Sequence, residues 1–264
     1  MRLLPLLPLL PLVALLTGCT GSGSGELANA AALETSEYLA LDLATGAVTA
    51  LPASTGGALD AWRLRADRLL FRRVPAGTYA LADEALVIDL DVLSRTCWVG
   101  VFEVTGAQWA RLAGLPPTTD ALPVTGLAPA EIDAGLAAFP LTTWRLHLPD
   151  DHMWVAAASD GNGKRFAWGD GAADLQTATY AVCLRSDNTT PGLQAVGSLP
   201  ATGRGFCDLH GNAWELVEDG SGGGFAVRGG AWDSPALNCR TANRIAIDAD
   251  LAHPLIGFRL VLTP

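Results

Sequence analysis

Regular hydrophobic patterns in this chain are short, and turn-forming residues separate them. With 29 Gly and 16 Pro among 264 residues, the composition favours a loop-rich fold over a helical bundle. The segment Tyr38–Leu51 alternates apolar and polar residues on both sides of Thr45-Gly46, which predicts a β-hairpin. Further short strands are predicted at residues 69–74, 87–92 and 98–104.

Helix signals begin where the hydrophobic period changes. Thr105-Gly106-Ala107-Gln108 is a capping-box pattern, which predicts a helix that starts there. A second helix is predicted over Pro129–Ala138, since proline is tolerated in a first turn. A third helix is predicted to follow the N-cap residue Asp150 and to reach Ala158. We therefore expect one α+β domain over residues 38–264, with an N-terminal hairpin at 38–51.

The N-terminal segment has the pattern of an export signal. The apolar run Leu3–Leu16 is broken by three prolines and is too short to span a membrane comfortably, which is typical of a signal peptide. It ends in Leu16-Thr17-Gly18-Cys19, the pattern of a bacterial lipobox. Residues 1–18 are thus predicted to be a lipoprotein signal peptide, Cys19 to carry a lipid, and residues 19–37 to be a flexible tether. The alternative is an ordinary secretory signal with an accidental cysteine.

Because Cys19 is predicted to carry a lipid, a membrane is the first expected partner of this protein. Thr20 after the lipidated cysteine favours the outer membrane or the cell surface. The formal net charge of −10 disfavours binding to nucleic acid. Beyond Cys19, four cysteines allow three disulfide pairings, which stay open here. Their spacing does not indicate a zinc site.

Several blocks, in order, resemble the formylglycine-generating enzyme, or sulfatase-modifying-factor, family. They cover roughly residues 69–262 and are Phe71–Tyr79, Trp98–Leu112, Arg145–Ala158 with Phe166–Asp170, Gly205–Asp219, and Arg228–Trp232 with Cys239-Arg240 and Ile256–Arg259. The resemblance implies a C-type-lectin-like fold of the formylglycine-generating-enzyme kind, loop-rich with few short helices and strands.

The resemblance also bears on catalysis. Oxidase members of the family hold copper with two cysteines, five residues apart, shortly after a Gly-Gly pair. Counted from Gly229-Gly230, these positions are Ser234 and Cys239 in this chain. A serine hydroxyl is a poor ligand for Cu(I), which prefers thiolates. We therefore expect no copper oxidase activity, and Cys239 is a structural residue rather than a catalytic one. A three-histidine iron site is not expected either.

One metal site of the family matches this chain. The resemblance implies structural calcium in the segment 208–215, with the carboxylates of Asp208 and Glu215 and the carbonyls of Gly211 and Ala213 as ligands. Calcium prefers such hard oxygen donors. The alternative is a turn with exposed acids.

The C-terminal block departs from ordinary relatives, because apolar residues stand where exposed polar loop residues are usual. We expect a partly apolar, exposed ligand-binding patch, made of Trp232, Asn238, Ile245, Ile247, Leu251, His253 and Leu255. This stretch resembles the variable proteins of diversity-generating retroelements. The alternative is ordinary drift, with the apolar residues packed in the core.

Two function classes follow. The first is a surface- or periplasm-exposed lipoprotein that uses the family scaffold to bind an unknown protein or glycan. The second is an exported metal-dependent oxidase that acts on cysteine or a related substrate. Copper or iron held stoichiometrically by the purified protein would favour the second.

Overall fold

A computed structural model describes residues 32–82, 88–139, 141–159, 163–171, 180–184, 187–220 and 223–264. The chain divides into two units, Met1–Thr35 and Ser36–Pro264. In the first unit, residues 32–35 are helical. The predicted signal peptide, Cys19 and the tether up to residue 31 lie outside the described residues.

A six-stranded sheet joins distant parts of the second unit. In spatial order its strands are β2 (Val48–Leu51), β1 (Tyr38–Asp42), β3 (Arg68–Val74), β6 (Cys97–Gly100), β12 (Val261–Thr263) and β7 (Arg145–His147). All neighbouring strands are antiparallel. The hairpin of β1 and β2 turns around Thr45-Gly46, where Gly46 has a positive φ of 72° that suits glycine. The last strand of the chain therefore lies inside the sheet and not at its edge.

A four-stranded sheet carries the C-terminal half. Its order is β10 (Arg244–Ile247), β9 (Phe225–Arg228), β8 (Trp214–Glu218) and β11 (Ile256–Gly257), with β11 parallel to β8. A separate hairpin consists of β4 (Gly77–Ala82) and β5 (Ile88–Leu93).

The strand predicted over residues 98–104 is shorter in the structure and ends at Gly100. The reason is a change of hydrogen-bond partner. The Val101 amide donates to Leu70 O, whereas the Val104 amide donates to Phe258 O. The backbone between them bends, and this bend carries Glu103 into the interior.

The three predicted helices are confirmed. In the described part of the second unit, the α-helices are α1 (Asp60–Arg63), α2 (Gly106–Leu112), α3 (Pro129–Ala137) and α4 (Asp151–Ala158). The sequence patterns did not indicate α1. At the start of α2, Thr105 Oγ1 accepts from the Gln108 amide at 3.2 Å, and Gln108 Oε1 accepts from the Thr105 amide at 3.0 Å. At the start of α4, Asp150 Oδ1 accepts from the Met153 amide at 2.8 Å. Local capping chemistry thus sets both helix starts.

Helix α4 lies in the main hydrophobic core. Its residues from Trp154 to Ala158 are buried. They pack with Val74 and Val99 of the six-stranded sheet and with Val217 of the four-stranded sheet. Helix α4 therefore contacts both sheets, and Trp154 brings an indole N–H into the buried interior beside β8.

In the part of the chain that the structure describes, no helix is both long enough and apolar enough to cross a bilayer.

Candidate functional site

A buried ion pair lies beneath the loop that carries the predicted calcium ligands. Arg259 is fully buried and donates to both oxygens of Glu215, at 2.6 Å from Nε and 2.5 Å from Nη2. Its remaining donors reach the carbonyls of Gly100 at 2.8 Å and Cys207 at 3.0 Å. Trp154 Nε1 also donates to Glu215 Oε2 at 2.6 Å. Because every group in this network is hydrogen-bonded, the pair is tolerated in the interior.

A second buried carboxylate, Glu103, supports the same loop. Its Oε2 accepts from Asn212 Nδ2 at 2.7 Å, and its Oε1 accepts from the Ala213 amide at 3.1 Å. Burial raises the pKa of Glu103 well above its usual range, and the charges of Asp208 and Glu215 raise it further. Sequence reasoning did not single out Glu103. Its one signal is an acid within the apolar run Val99–Val104.

The loop that precedes β8 has an unusual backbone. Asp208 and Asn212 have positive φ values of 60° and 66°, a region that non-glycine residues seldom occupy. Asn212 is held there by Glu103, and its Oδ1 accepts from the Gln194 amide at 3.0 Å. Asp208 Oδ2 accepts from the Gly197 amide at 2.6 Å. Such strained positions persist where the surroundings over-determine them, and they are frequent at functional sites.

The predicted calcium donors fit a cation unequally. Asp208 is buried, and its Oδ1 has no hydrogen-bond partner among the described residues, which suits a carboxylate that binds a cation. Burial raises the pKa of Asp208 to about 6. Both oxygens of Glu215, in contrast, are engaged by Arg259 and Trp154, so Glu215 does not fit calcium in this arrangement. Among the described residues, no group of three or more His, Cys, Asp or Glu side chains is placed to hold a metal ion. The calcium site predicted at Asp208, Gly211, Ala213 and Glu215 stays a prediction.

The two positions that match the family's copper ligands have different surroundings. Ser234 is buried, and its hydroxyl oxygen accepts from the Ala231 amide at 3.0 Å within a tight turn. Cys239 is buried next to Cys183, and the two thiols share a hydrogen bond. The serine is thus part of the turn, and the nearest thiol to Cys239 comes from a segment that the copper motif does not include.

A pocket of about 310 Å³ borders the loop that precedes β8. Its lining includes Trp168, Tyr180, Phe206, Asp208 and His210. The rings of Phe166, Trp168 and Tyr180 form a continuous stack, with centroid distances of 4.7 Å and 5.7 Å. Tyr180 ends the stack and is 37% exposed. The pocket therefore has an aromatic wall with a solvent-accessible end.

His210 fixes this wall in place. Its Nε2 accepts from the Ala167 amide at 3.1 Å, so Nδ1 carries the proton and donates to Cys239 O at 2.7 Å. The ring also contacts Trp168 edge-on at 4.8 Å. Burial lowers the pKa of His210 to about 4, so the ring is neutral at pH 7. With both nitrogens engaged, His210 positions the backbone and is not free to act as a base.

The seven predicted ligand-binding residues lie outside the core. Ile245, Leu251 and His253 are exposed, while Trp232, Asn238, Ile247 and Leu255 are half-buried. The structure places Ile245 and Ile247 on one face of β10, an edge strand. Leu255 precedes β11 at the opposite edge of the same sheet. The set therefore extends across the four-stranded sheet, and its binding role stays a prediction.

The comparisons with known proteins agree with this architecture. Residues 68–264 match the family model described as "Sulfatase-modifying factor enzyme 1-like domain". The chain belongs to this family, and the family resemblance of the sequence blocks is confirmed. No curated protein sequence matches the chain.

Solved structures show the same fold at low identity. PvdO from Pseudomonas aeruginosa is 17% identical, with a TM-score of 0.63 over 76% of this chain and 96% of that one. Treponema denticola variable protein 1 is 17% identical, with a TM-score of 0.60 over 75% and 96%. CarF is 19% identical, with a TM-score of 0.52 over 72% and 96%. The loop-rich, C-type-lectin-like fold of the formylglycine-generating-enzyme kind is therefore confirmed.

Sequence reasoning missed the pocket. Trp168 and Phe206 lie in the blocks that resemble the family, yet nothing in the sequence gave them a binding role. Tyr180 carries no recognisable signal, because it reaches the pocket only through long-range folding.

Proposed function

We propose that the protein is an exported, lipid-anchored member of the sulfatase-modifying-factor family that binds a ligand without copper oxidase activity. The observation that carries this proposal is the preformed aromatic wall of the pocket, which Trp168 and His210 hold rigid. Ligand sites are commonly concave, largely apolar and preformed, with a few polar groups. Rigidity of this kind favours binding, because little conformational entropy is lost when a ligand is bound.

The chemistry of the lining favours a ligand that contains a ring. Tyr180 presents an accessible aromatic surface at the end of the stack. Thr202 and Asp208 add side-chain oxygen atoms beside the aromatic wall of the pocket. A pyranose of a glycan or an aromatic side chain of a protein has the matching combination of apolar face and polar edge.

The test compares the pocket with the C-terminal surface. Ligand-observed NMR against a panel of soluble saccharides and aromatic amino-acid derivatives identifies binding to the wild-type protein. We expect Tyr180→Ala to abolish that binding and Trp232→Ala to retain it. The reverse pattern would move the site to the C-terminal surface. Absence of binding across the whole panel would count against the pocket.

The second candidate function is the exported metal-dependent oxidase. The observation in its favour is the proximity of Cys183 to Cys239, which supplies two thiols in place of the family's spaced pair. Turnover of a cysteine-containing peptide by the copper-loaded protein, absent in Cys183→Ala, would establish this function in preference to the first.

A further inference from the structure

Two chain segments that are distant in sequence meet beside the pocket. The Leu184 amide donates to Ser234 O at 3.0 Å, and Leu184 forms a parallel bridge with Pro235. Cys239 ends the 3-10 turn that follows Pro235, and its Sγ lies 3.9 Å from Pro235 O. Cys183 and Cys239 are therefore brought to the same place by backbone contacts on either side of them.

The two thiols share one small apolar cluster. Cys183 and Cys239 are 2% and 0% exposed and pack with Phe166 and Ala181. Their side chains are within hydrogen-bonding distance of each other. Cysteine side chains this close need little backbone movement to be joined.

We propose that Cys183 and Cys239 form a disulfide bond when the protein folds in an oxidising environment. The oxidant is a disulfide reagent, either a protein oxidase or oxidised glutathione. One thiolate attacks a sulfur of the reagent, and the second cysteine then displaces the remaining reagent thiol. Two S–H bonds and one reagent S–S bond are exchanged for one protein S–S bond and two reagent thiols. This disulfide bond is independent of the proposed function and forms without a ligand.

Of the three pairings that the sequence left open, the geometry supports the one that contains Cys183–Cys239, but without its second bond, Cys97–Cys207. The Cys207 amide donates to Val101 O at 2.9 Å, whereas Cys97 lies four residues before Val101. At roughly 3.3 Å per residue, Cys97 lies about 13 Å along the chain from Val101, the residue that contacts Cys207. The Cα atoms of bridged cysteines lie within about 7 Å of each other. Cys97 and Cys207 also belong to separate core clusters. We therefore expect both to remain thiols.

The bond forms during folding rather than afterwards. The hydrogen bond with Cys183, together with burial, raises the pKa of Cys239 well above its ordinary value. The thiolate is the reactive species, and a buried protonated thiol exchanges slowly. Protein that has folded in reducing buffer should accordingly resist later oxidation, while protein refolded with the oxidant present acquires the bond.

Peptide mapping tests the proposal directly. The full chain is unfolded with reductant, refolded in a glutathione redox buffer, alkylated under denaturing conditions and digested with trypsin without reduction. Each of the four cysteines falls in a separate tryptic peptide, namely 96–111, 166–185, 205–228 and 229–240. The expected product is peptide 166–185 joined to 229–240, with 96–111 and 205–228 alkylated.

Stability gives a second readout. In a chain-entropy treatment, closing the loop from 183 to 239 raises the melting temperature of a domain this size by roughly 8–16 °C. Reductant should lower the melting temperature of the refolded wild type by that amount. The same reductant should leave Cys183→Ala/Cys239→Ala unchanged and should still act on Cys97→Ala.

Three results would overturn the proposal. The first is complete alkylation of Cys183 and Cys239 in refolded protein whose circular dichroism is native. The second is a linkage that involves Cys97 or Cys207. The third is protection of both thiols only when Cu(I) is present, which would replace the disulfide by a metal site. Peptide mapping uses the wild type alone, so it stands even where a cysteine variant fails to fold.

Discussion

Substitution of Glu215 by glutamine separates two roles for this carboxylate. In the structure, Glu215 is the counter-ion of the fully buried Arg259 and also accepts from Trp154. In the calcium prediction it is a metal ligand. Glu215→Gln keeps the size of the side chain but removes its charge, which leaves the buried Arg259 guanidinium without its hydrogen-bonded carboxylate.

The expected cost is large. Removing one partner of a buried ion pair destabilises a protein by about 3–5 kcal/mol, because the other charge stays desolvated. For a urea m-value of about 2–3 kcal/mol/M, the unfolding midpoint falls by roughly 1–2.5 M. An exposed residue on the same strand supplies the matched control. Glu218 follows Glu215 on β8 and is exposed, so Glu218→Gln should change stability by no more than about 0.5 kcal/mol.

The assay is urea unfolding of the three proteins, each measured in chelator and in added calcium. If Glu215 acts through Arg259, the loss in Glu215→Gln is the same in both buffers. A loss below about 1 kcal/mol in chelator, or one that appears only with calcium, would refute the ion-pair role and restore Glu215 as a ligand.

Three further predictions concern lipidation at Cys19, copper-dependent oxidation and the ionisation of Asp208. Labelled fatty acid should enter the wild type and not Cys19→Ala, and equal labelling of both would contradict the lipobox. Copper-loaded protein should not convert cysteine to formylglycine in sulfatase-type peptides, because Ser234 stands at the family's first copper-cysteine position and Cys183, the thiol beside Cys239, is expected to be joined to it in a disulfide; turnover would contradict this. In chelator, Asp208→Asn should raise stability by about 3 kcal/mol at pH 7.5 and by about half as much at pH 5. A pKa raised to about 6 means that ionisation costs stability progressively as pH rises from about 4 to 6. A pH-independent effect in urea titrations would contradict the buried carboxylate.

Capping chemistry made helices α2 and α4 predictable from sequence. Thr105 and Gln108 satisfy each other's backbone groups within four residues, and Asp150 does the same for Met153. Such signals need no tertiary contact. The β1–β2 hairpin was accessible for the same reason, since its turn and its alternation are both local.

The contacts that build the site are not local, and the sequence did not reveal them. Glu103 bonds to Asn212 across 109 positions, and Arg259 reaches Gly100 across 159. Cys183 meets Cys239 only because Leu184 pairs with Pro235. A single sequence has no pattern that records such pairings. The family blocks located the loop correctly, but not the groups that contact it.

The charges beneath the loop explain why Asp208 is the informative residue of this set. Arg259 interacts with the carboxylates of Glu103, Asp208 and Glu215, so acids exceed bases around this guanidinium. Glu215 is fully engaged by Arg259 and Trp154, and Glu103 is engaged by Asn212 and Ala213. The excess negative charge is relieved at Glu103, whose pKa is raised well above its usual range, and at Asp208, whose Oδ1 has no hydrogen-bond partner among the described residues. A buried carboxylate in that position is neutralised either by a proton or by a cation. Its raised pKa describes the first case, and a calcium ion would reverse it by favouring the ionised form. With Asp208 protonated, the loop of residues 208–215 folds without calcium. With Asp208 bound to a metal, the same loop holds the calcium that the family resemblance implies.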